Sequence, residues 1–225
     1  NIIPLGGTQA RGYLPDTGSR RPAPYQSSQP SKPVVKKIPF DFSKQGYSMM
    51  LVNTGKGHAD LSAEYSSIPN EMKSVARFFK QETLRGLTFA DVAGNLPEIR
   101  KACGDRAVLR ATHFYNENHR VDRLNAALAA NDFESFKSTI IESGHSSFMF
   151  NQNVFSTKNT AAQPVSVALS VCERILNGKG AWRVHGGGFA GCVQALMPTE
   201  YFAYYKTEME KVFGAGSCTE IKLGV

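Results

Sequence analysis

The residues best suited to chemistry lie near the C-terminal end, in the run Val184-His185-Gly186-Gly187-Gly188-Phe189-Ala190-Gly191-Cys192-Val193-Gln194. Four glycines fall within six residues, between the strand-like runs Arg183-Val184 and Val193 to Met197. Glycine loses more conformational freedom on folding than any other residue. A cluster of this density therefore marks a place that needs positive φ or a very close backbone approach. Successive bare N–H groups in such a turn can cradle a phosphate or another anion.

Several chemistries compete for this segment. Gly186-x-Gly188-x-x-Gly191 has the spacing of a dinucleotide fingerprint, but that motif needs a helix directly after the glycines and an acidic residue about 20 positions on. Here a short β-like run ends at Pro198 instead. His185-Gly186-Gly187-Gly188 has the look of an esterase oxyanion loop. The G-x-S-x-G elbow that such an enzyme requires is missing, because Gly144-His145-Ser146-Ser147-Phe148 lacks its second glycine. A β-loop-β turn serving phosphate transfer and a plain glycine-rich hairpin both remain open on spacing alone. Elsewhere, Glu142, His145, Ser146 and Ser147 read as helix-end capping or a buried hydrogen bond rather than a nucleophile pair. His113, Glu117 and His119 read as an exposed polar helix face. The first two share a side at i, i+4 and His119 does not join them, so no metal site is expected. Trp182 reads as packing at the sheet.

These residues need elements to hold them. Tyr47 to Asn53, Ala181 to Val184, Cys192 to Met197 and Cys218 to Leu223 read as strands. Leu61, Tyr65, Ile68, Met72, Val75 and Phe79 recur at helical spacing. Pro69 fits a first turn, and Leu61 to Ser67 either joins that helix or forms a separate turn. Asp105 is placed to cap a long helix carrying Leu109, Val121, Leu124 and Leu128. Asn131 ends it and Asp132 caps the next, with Phe133, Phe136 and Ile140, which makes a helical hairpin. Gln163 to Leu176 (Val167, Val171, Ile175) closes at Asn177-Gly178. A last helix opens at Thr199 with Phe202, Tyr205, Met209 and Val212 and stops at Gly214. Strands interleaved with helices predict an α+β fold, with helices packed on one face of a small four-stranded antiparallel sheet.

Composition is that of a soluble globular protein: 225 residues, 41% hydrophobic and 20% charged. No apolar run approaches the ~18 residues of a membrane span, and no signal-peptide pattern opens the chain. Cys103, Cys172, Cys192 and Cys218 lack paired or metal-ligand spacing and read as reduced thiols of a cytoplasmic protein. The formal charge of +7 is concentrated in residues 1–37. There Arg11, Arg20, Arg21, Lys32, Lys36 and Lys37 face only Asp16, so the tail carries +5 and the remainder +2. That distribution argues against a nucleic-acid surface on the globular part, and no membrane partner is expected. The same 37 residues hold six of the eleven prolines and read as a linker or disordered tail. The packed domain is expected over 38–225.

Three stretches of that domain, in order and spacing, carry a family likeness. The first is Leu51-Val52-Asn53-Thr54, then His58-Ala59-Asp60-Leu61-Ser62-Ala63-Glu64-Tyr65 and Asn70-Glu71-Met72. The second is Arg110-Ala111-Thr112-His113, Glu117-Asn118-His119-Arg120-Val121 and Ser143-Gly144-His145-Ser146-Ser147. The third is the glycine run itself. Together, from Lys37 to Val225, they resemble the C-terminal half of galactokinases, in the GHMP superfamily of small-molecule kinases. The His-Gly-Gly-Gly-Phe-Ala-Gly form is most like the bacterial members.

The resemblance implies a GHMP kinase C-terminal domain, ferredoxin-like with an extra helical hairpin. It also implies transfer of the γ-phosphoryl of MgATP to the anomeric hydroxyl of galactose at a site between two domains. Tyr65 corresponds to the tyrosine that contacts the sugar; as a residue on an apolar stripe with Leu61 and Ile68 it also reads as core. Gly186, Gly187, Gly188 and Phe189 correspond to the loop beside the active site. Arginine or methionine is common before these glycines in relatives, whereas His185 stands here and reads as a hydrogen-bonding loop residue.

The family's phosphate loop, sugar signature, catalytic aspartate and its arginine partner belong to the N-terminal domain. The runs Gly-Leu-Ser-Ser-Ser, Arg-Val-Asn-Leu-Ile-Gly-Glu-His and Met-Asp-Gln do not occur in these 225 residues. No catalytic residue and no metal ligand is therefore expected in this chain. ATP and Mg²⁺ would be held mainly by an N-terminal kinase domain acting as partner, and the chain alone is expected to be inactive. A galactose- and ATP-binding sensor or regulatory partner, and a fragment of an N-acetylgalactosamine kinase, are the alternatives that the same likeness allows.

Overall fold

The computed structural model describes residues 40–55 and 61–221. The expected tail over 1–37, the domain start near Ile38, the His58-Ala59-Asp60 stretch and the last residues of the closing strand lie outside the described residues.

Short apolar runs, buried on both faces in β2 and β3, build one antiparallel sheet from β1 (Tyr47–Asn53), β2 (Ala181–Val184), β3 (Cys192–Pro198) and β4 (Cys218–Ile221), in the order β2-β3-β1-β4. The register pairs Tyr47 with Pro198 and Asn53 with Cys192, Met49 with Ile221, and Val184 with Val193. Successive strand residues point to opposite faces. Met50, Val52, Trp182, Val184, Val193, Ala195 and Met197 therefore share one face. They pack there against α6 (Pro164–Leu176) and α7 (Phe202–Phe213). Met49, Ala181 and Leu196 look the other way. They meet Leu124, Ala127, Phe136 and Ile140 of the hairpin formed by α4 (Asp105–Ala129) and α5 (Phe133–Ser146).

The fold is thus α+β with the order of a ferredoxin-like split βαβ pair, and the extra hairpin takes the sheet face that α6 and α7 leave. A third cluster joins α1 (Ser62–Phe78), α2 (Phe89–Ala93), α3 (Leu96–Cys103) and the first half of α4, and it includes Phe189 and Ala190. That cluster anchors the far side of the glycine loop.

Local differences from the sequence reading have simple causes. α1 runs unbroken from Ser62 through Pro69, because burial of Ile68, Met72 and Val75 offsets the missing backbone bond, a loss of roughly 3 kcal/mol. Asp105 is the first residue of α4 rather than its cap; Gly104 holds the cap position, and the Asp105 carboxylate accepts from Arg100 Nε at 2.6 Å. Asp132 does cap α5, accepting from Ser135 N. Val167 and Val212 are 46% and 50% exposed. The buried stripe of α6 is instead Val165, Ala168, Cys172, Ile175 and Leu176.

Candidate functional site: the glycine loop and its supports

β2 and β3 are hydrogen-bonded partners up to Val184 and Val193, and His185 N–H donates to Cys192 O at 2.8 Å to close the ladder. Beyond that rung the chain turns back within six residues. Gly186 (φ +69°), Gly188 (+79°) and Gly191 (+101°) take left-handed backbone, and so does the non-glycine Phe189 (+56°). The exit is tied to the end of β1, where Thr54 donates to Gly191 O from both its N–H (2.9 Å) and its hydroxyl (2.8 Å). His185 Nδ1 lies 2.9 Å from Gln194 Oε1, so this histidine is a hydrogen-bonding residue at the loop entrance.

The close approach that the glycines permit is to the chain itself. A Cβ on Gly187 would stand 2.6 Å from Cε1 of the Tyr65 ring, and one on Gly188 would stand 1.9 Å from Asn153 O. A Cβ on Gly186 would meet nothing within 4 Å. The loop accordingly has two edges. Gly188, Phe189 and Ala190 are buried, while His185, Gly186 and Gly187 are half-buried. The N–H groups of Gly186, Gly187 and Gly188 donate to no acceptor among the described residues.

Tyr65 stands at the junction of these edges. Its hydroxyl donates to Gly188 O at 2.8 Å, and its ring meets Phe189 edge-on at 5.4 Å. Burial pushes its phenol pKa above the ordinary value. Tyr65, Gly186, Gly187, Gly188 and Phe189 are thus brought together at one place, although Tyr65 and Gly188 are 123 positions apart. Asn153, which sequence reading did not single out, supports the loop from below: Nδ2 donates to Gly187 O at 3.1 Å, and its carbonyl accepts from Phe189 N–H. No local signal marks it, since its partners are backbone atoms of a distant turn.

The strand that feeds the loop rests on a buried polar cluster. His113 and Glu117, expected on an exposed face, are buried. The reason is that α4 packs on the sheet face that carries Arg183. Arg183 is 1% exposed and donates from Nη1 to Glu117 Oε1 at 3.0 Å and to Ser143 Oγ at 2.6 Å. Arg120 Nε donates to Glu117 Oε2 at 2.9 Å, and Ser143 bonds the same carboxylate. The Glu142-His145-Ser146-Ser147 run divides. His145 and Glu142 face outward, Glu142 pairing with Arg123; Ser146 Oγ lies 2.9 Å from His113 Nδ1 on the neighbouring helix. Trp182 packs in the sheet core as expected. Among the described residues no group of three or more His, Cys, Asp or Glu is placed to hold a metal ion, and none of their helices is long and apolar enough to cross a membrane.

His113 gives this cluster a pH signature. Burial is the main cause lowering its pKa from 6.5 to about 4, with the nearby Arg183 and Arg120 adding to it and Glu117 opposing. The unfolded chain therefore binds a proton that the folded chain refuses between these values. Stability falls as pH drops through that window, by about 3 kcal/mol in all. Urea melts across the window should show this loss. In His113→Gln, which has no proton to take up, the slope should vanish.

No protein-family model matches the chain. Curated relatives do. The galactokinase of Glaesserella parasuis serovar 5 (strain SH0165) is 29% identical over 159 residues, which cover 69% of this chain and 38% of that protein. A galactokinase of Actinobacillus pleuropneumoniae is 28% identical over 155 residues, with the same coverage of 69% and 38%. The chain thus spans under two-fifths of the length of these relatives. Among solved structures, Lactococcus lactis galactokinase complexed with galactose superposes with a TM-score of 0.60 over 78% of this chain and 44% of that one, at 18% identity. That likeness is one of fold.

Proposed function

We propose that this galactokinase-like chain supplies one wall of a two-domain active site for transfer of the γ-phosphoryl of MgATP to the anomeric hydroxyl of galactose. One observation carries the reading. The glycine loop is gripped by its own chain on the inner edge, while three successive amides, Gly186 to Gly188, donate to no acceptor among the described residues beside Tyr65. Positive φ at Gly186 and Gly188, on either side of Gly187, suits a concavity that attracts anionic oxygen. Phosphoryl transfer is catalysed chiefly by positioning and charge stabilisation, and such a loop contributes to both.

In this reading Tyr65, whose proton is committed to Gly188 O, meets a sugar hydroxyl as an acceptor. Its neutral phenol, raised by burial, suits that role. Gly186 and Gly187 form the edge that faces the substrates, with Gly188 and Phe189 seated behind them in the same loop. The nucleotide, the Mg²⁺ and the catalytic carboxylate are assigned to an N-terminal kinase domain, and no catalytic residue is placed in this chain. Mg²⁺ bound there with the nucleotide would neutralise charge developing on the transferred phosphoryl.

The test is a coupled ADP-release assay with galactose and MgATP. The chain alone is expected to stay at background, and turnover well above it would refute the one-wall reading. The same assay on the product translated with the reading frame upstream of Asn1 is expected to give galactose-dependent ADP. Should no sugar stimulate release there, the kinase reading fails.

A further inference from the structure

Asn153 is fully buried and meets the glycine loop through both its side chain and its backbone. Nδ2 donates to Gly187 O at 3.1 Å, the carbonyl accepts from Phe189 N–H, and the same carbonyl lies where a Cβ of Gly188 would be. We propose that Asn153 is the positioning residue of the glycine loop, holding Gly186 to Gly188 in the shape that leaves their amides without acceptors among the described residues. The proposal rests on the reading of that loop as part of a phosphoryl-transfer site.

The loop cannot hold this shape by itself. Glycine backbone has the most freedom to lose. Between the rung at His185 and the tie at Gly191, the only bond within the loop among the described residues is Ala190 N–H to Gly188 O at 2.6 Å. The remaining restraints come from outside, Tyr65 on one side and Asn153 on the other.

Asn153 is itself firmly based. It follows a π-helical turn, Ser147–Asn151, and Gln152 at φ +53°, and deviations of this kind concentrate at functional sites. Arg110, 1% exposed, donates from Nε to Asn151 O at 3.1 Å and from Nη1 to Ser67 Oγ and Glu71 Oε2. Ser156 bonds the Glu64 carboxylate. The segment under the loop is thus tied to α4 at Asn151 and to α1 at Ser156.

The donor, rather than the bulk, of the Asn153 side chain is what matters. Turning the carboxamide over would set Oδ1 against Gly187 O. An aspartate of the same shape would likewise oppose oxygen to oxygen, until its carboxyl is protonated and becomes a donor.

The experiment is amide hydrogen exchange followed by NMR on the full chain, comparing wild type with Asn153→Asp. At about pH 7 the variant should exchange Phe189 and Ala190 N–H about tenfold faster, with the amides of α4 and α6 unchanged. Lowering the pH to about 5 protonates the buried carboxyl, whose pKa burial raises, and protection relative to wild type should return. Equal loop exchange at the higher pH overturns the proposal. So does a uniform rise across the chain, which marks a merely structural residue, or a local loosening that acid does not reverse. Should Asn153→Asp not fold, Asn153→Ser carries the same local expectation: faster exchange confined to the loop supports the proposal, and unchanged or uniform exchange overturns it. Neither sugar nor nucleotide is needed, so failure here leaves the kinase reading standing, and a silent kinase assay leaves the clamp standing.

Discussion

Gly188→Ala is expected to lower the free energy of unfolding by about 2–5 kcal/mol. Two penalties add. A residue with a Cβ at φ +79° loses roughly 1–2 kcal/mol in left-handed backbone, and overpacking adds roughly 1–3 kcal/mol. The second penalty is unavoidable here. The atom 1.9 Å from the new methyl is the backbone oxygen of Asn153, which cannot swing aside as a flexible side chain would. Gly186→Ala carries only the first penalty, because its Cβ would enter open space. Urea denaturation should show a markedly lower midpoint for the first variant and a small shift for the second, at similar m-values. Equal midpoints would mean that the loop is not seated on Asn153. The contrast separates the two uses of glycine in this turn, conformational freedom at Gly186 and close approach at Gly188.

Glu117→Ala should be destabilising by about 3–5 kcal/mol, the usual consequence of removing one partner from a buried ion pair. The substitution takes the carboxylate away from two guanidiniums: Arg183, 3.0 Å from one carboxylate oxygen, and Arg120, whose Nε is 2.9 Å from the other. It also strips Ser143 of its acceptor. Glu117→Gln keeps an acceptor but not the charge, and should be intermediate.

A pH dependence follows from the same carboxylate. Burial pushes its pKa up, yet Arg183, His113, Arg120 and the Ser143 hydroxyl outweigh burial and hold it below the ordinary 4.5. A depressed folded value means that the stabilisation is complete above the unfolded pKa and is lost as pH falls through the folded one. Acid unfolding should therefore show the His113 loss first and a further loss below about 4.5 that Glu117→Gln abolishes. Persistence of that lower step in the variant would assign it elsewhere. The cluster matters beyond stability because Arg183 lies on β2, two residues ahead of the glycine loop; loosening it should loosen the loop's entrance.

Much of this was legible from local pattern. Short apolar runs marked β1 and β2 at their observed bounds and β3 to within a residue, and Asp132 and Gly214 marked helix ends. Those signals are local, since a strand's apolar run and a cap's hydrogen bond involve residues a few positions apart. The ordered motifs likewise singled out the loop and Tyr65 before their proximity was visible. Periodicity was less reliable where one helix has two partly apolar stripes. On α6 it favoured Val167, although the sheet receives Val165, Ala168 and Cys172. It misplaced His113 and Glu117 because a polar helix side looks the same whether it meets water or a buried arginine.

By its own pattern, then, the amino-acid sequence determined the strands, most helix limits, the α+β class and the galactokinase-like motifs. The tertiary structure alone decided what the bare glycines approach. Gly187 and Gly188 make room for a tyrosine from α1 and an asparagine after α5. The hydrogen bonds made there, Tyr65 to Gly188 and Asn153 to Gly187, span 123 and 34 positions and arise only when the sheet, the hairpin and α1 pack together. A glycine records that something must come close; which group comes close is a property of the packed whole.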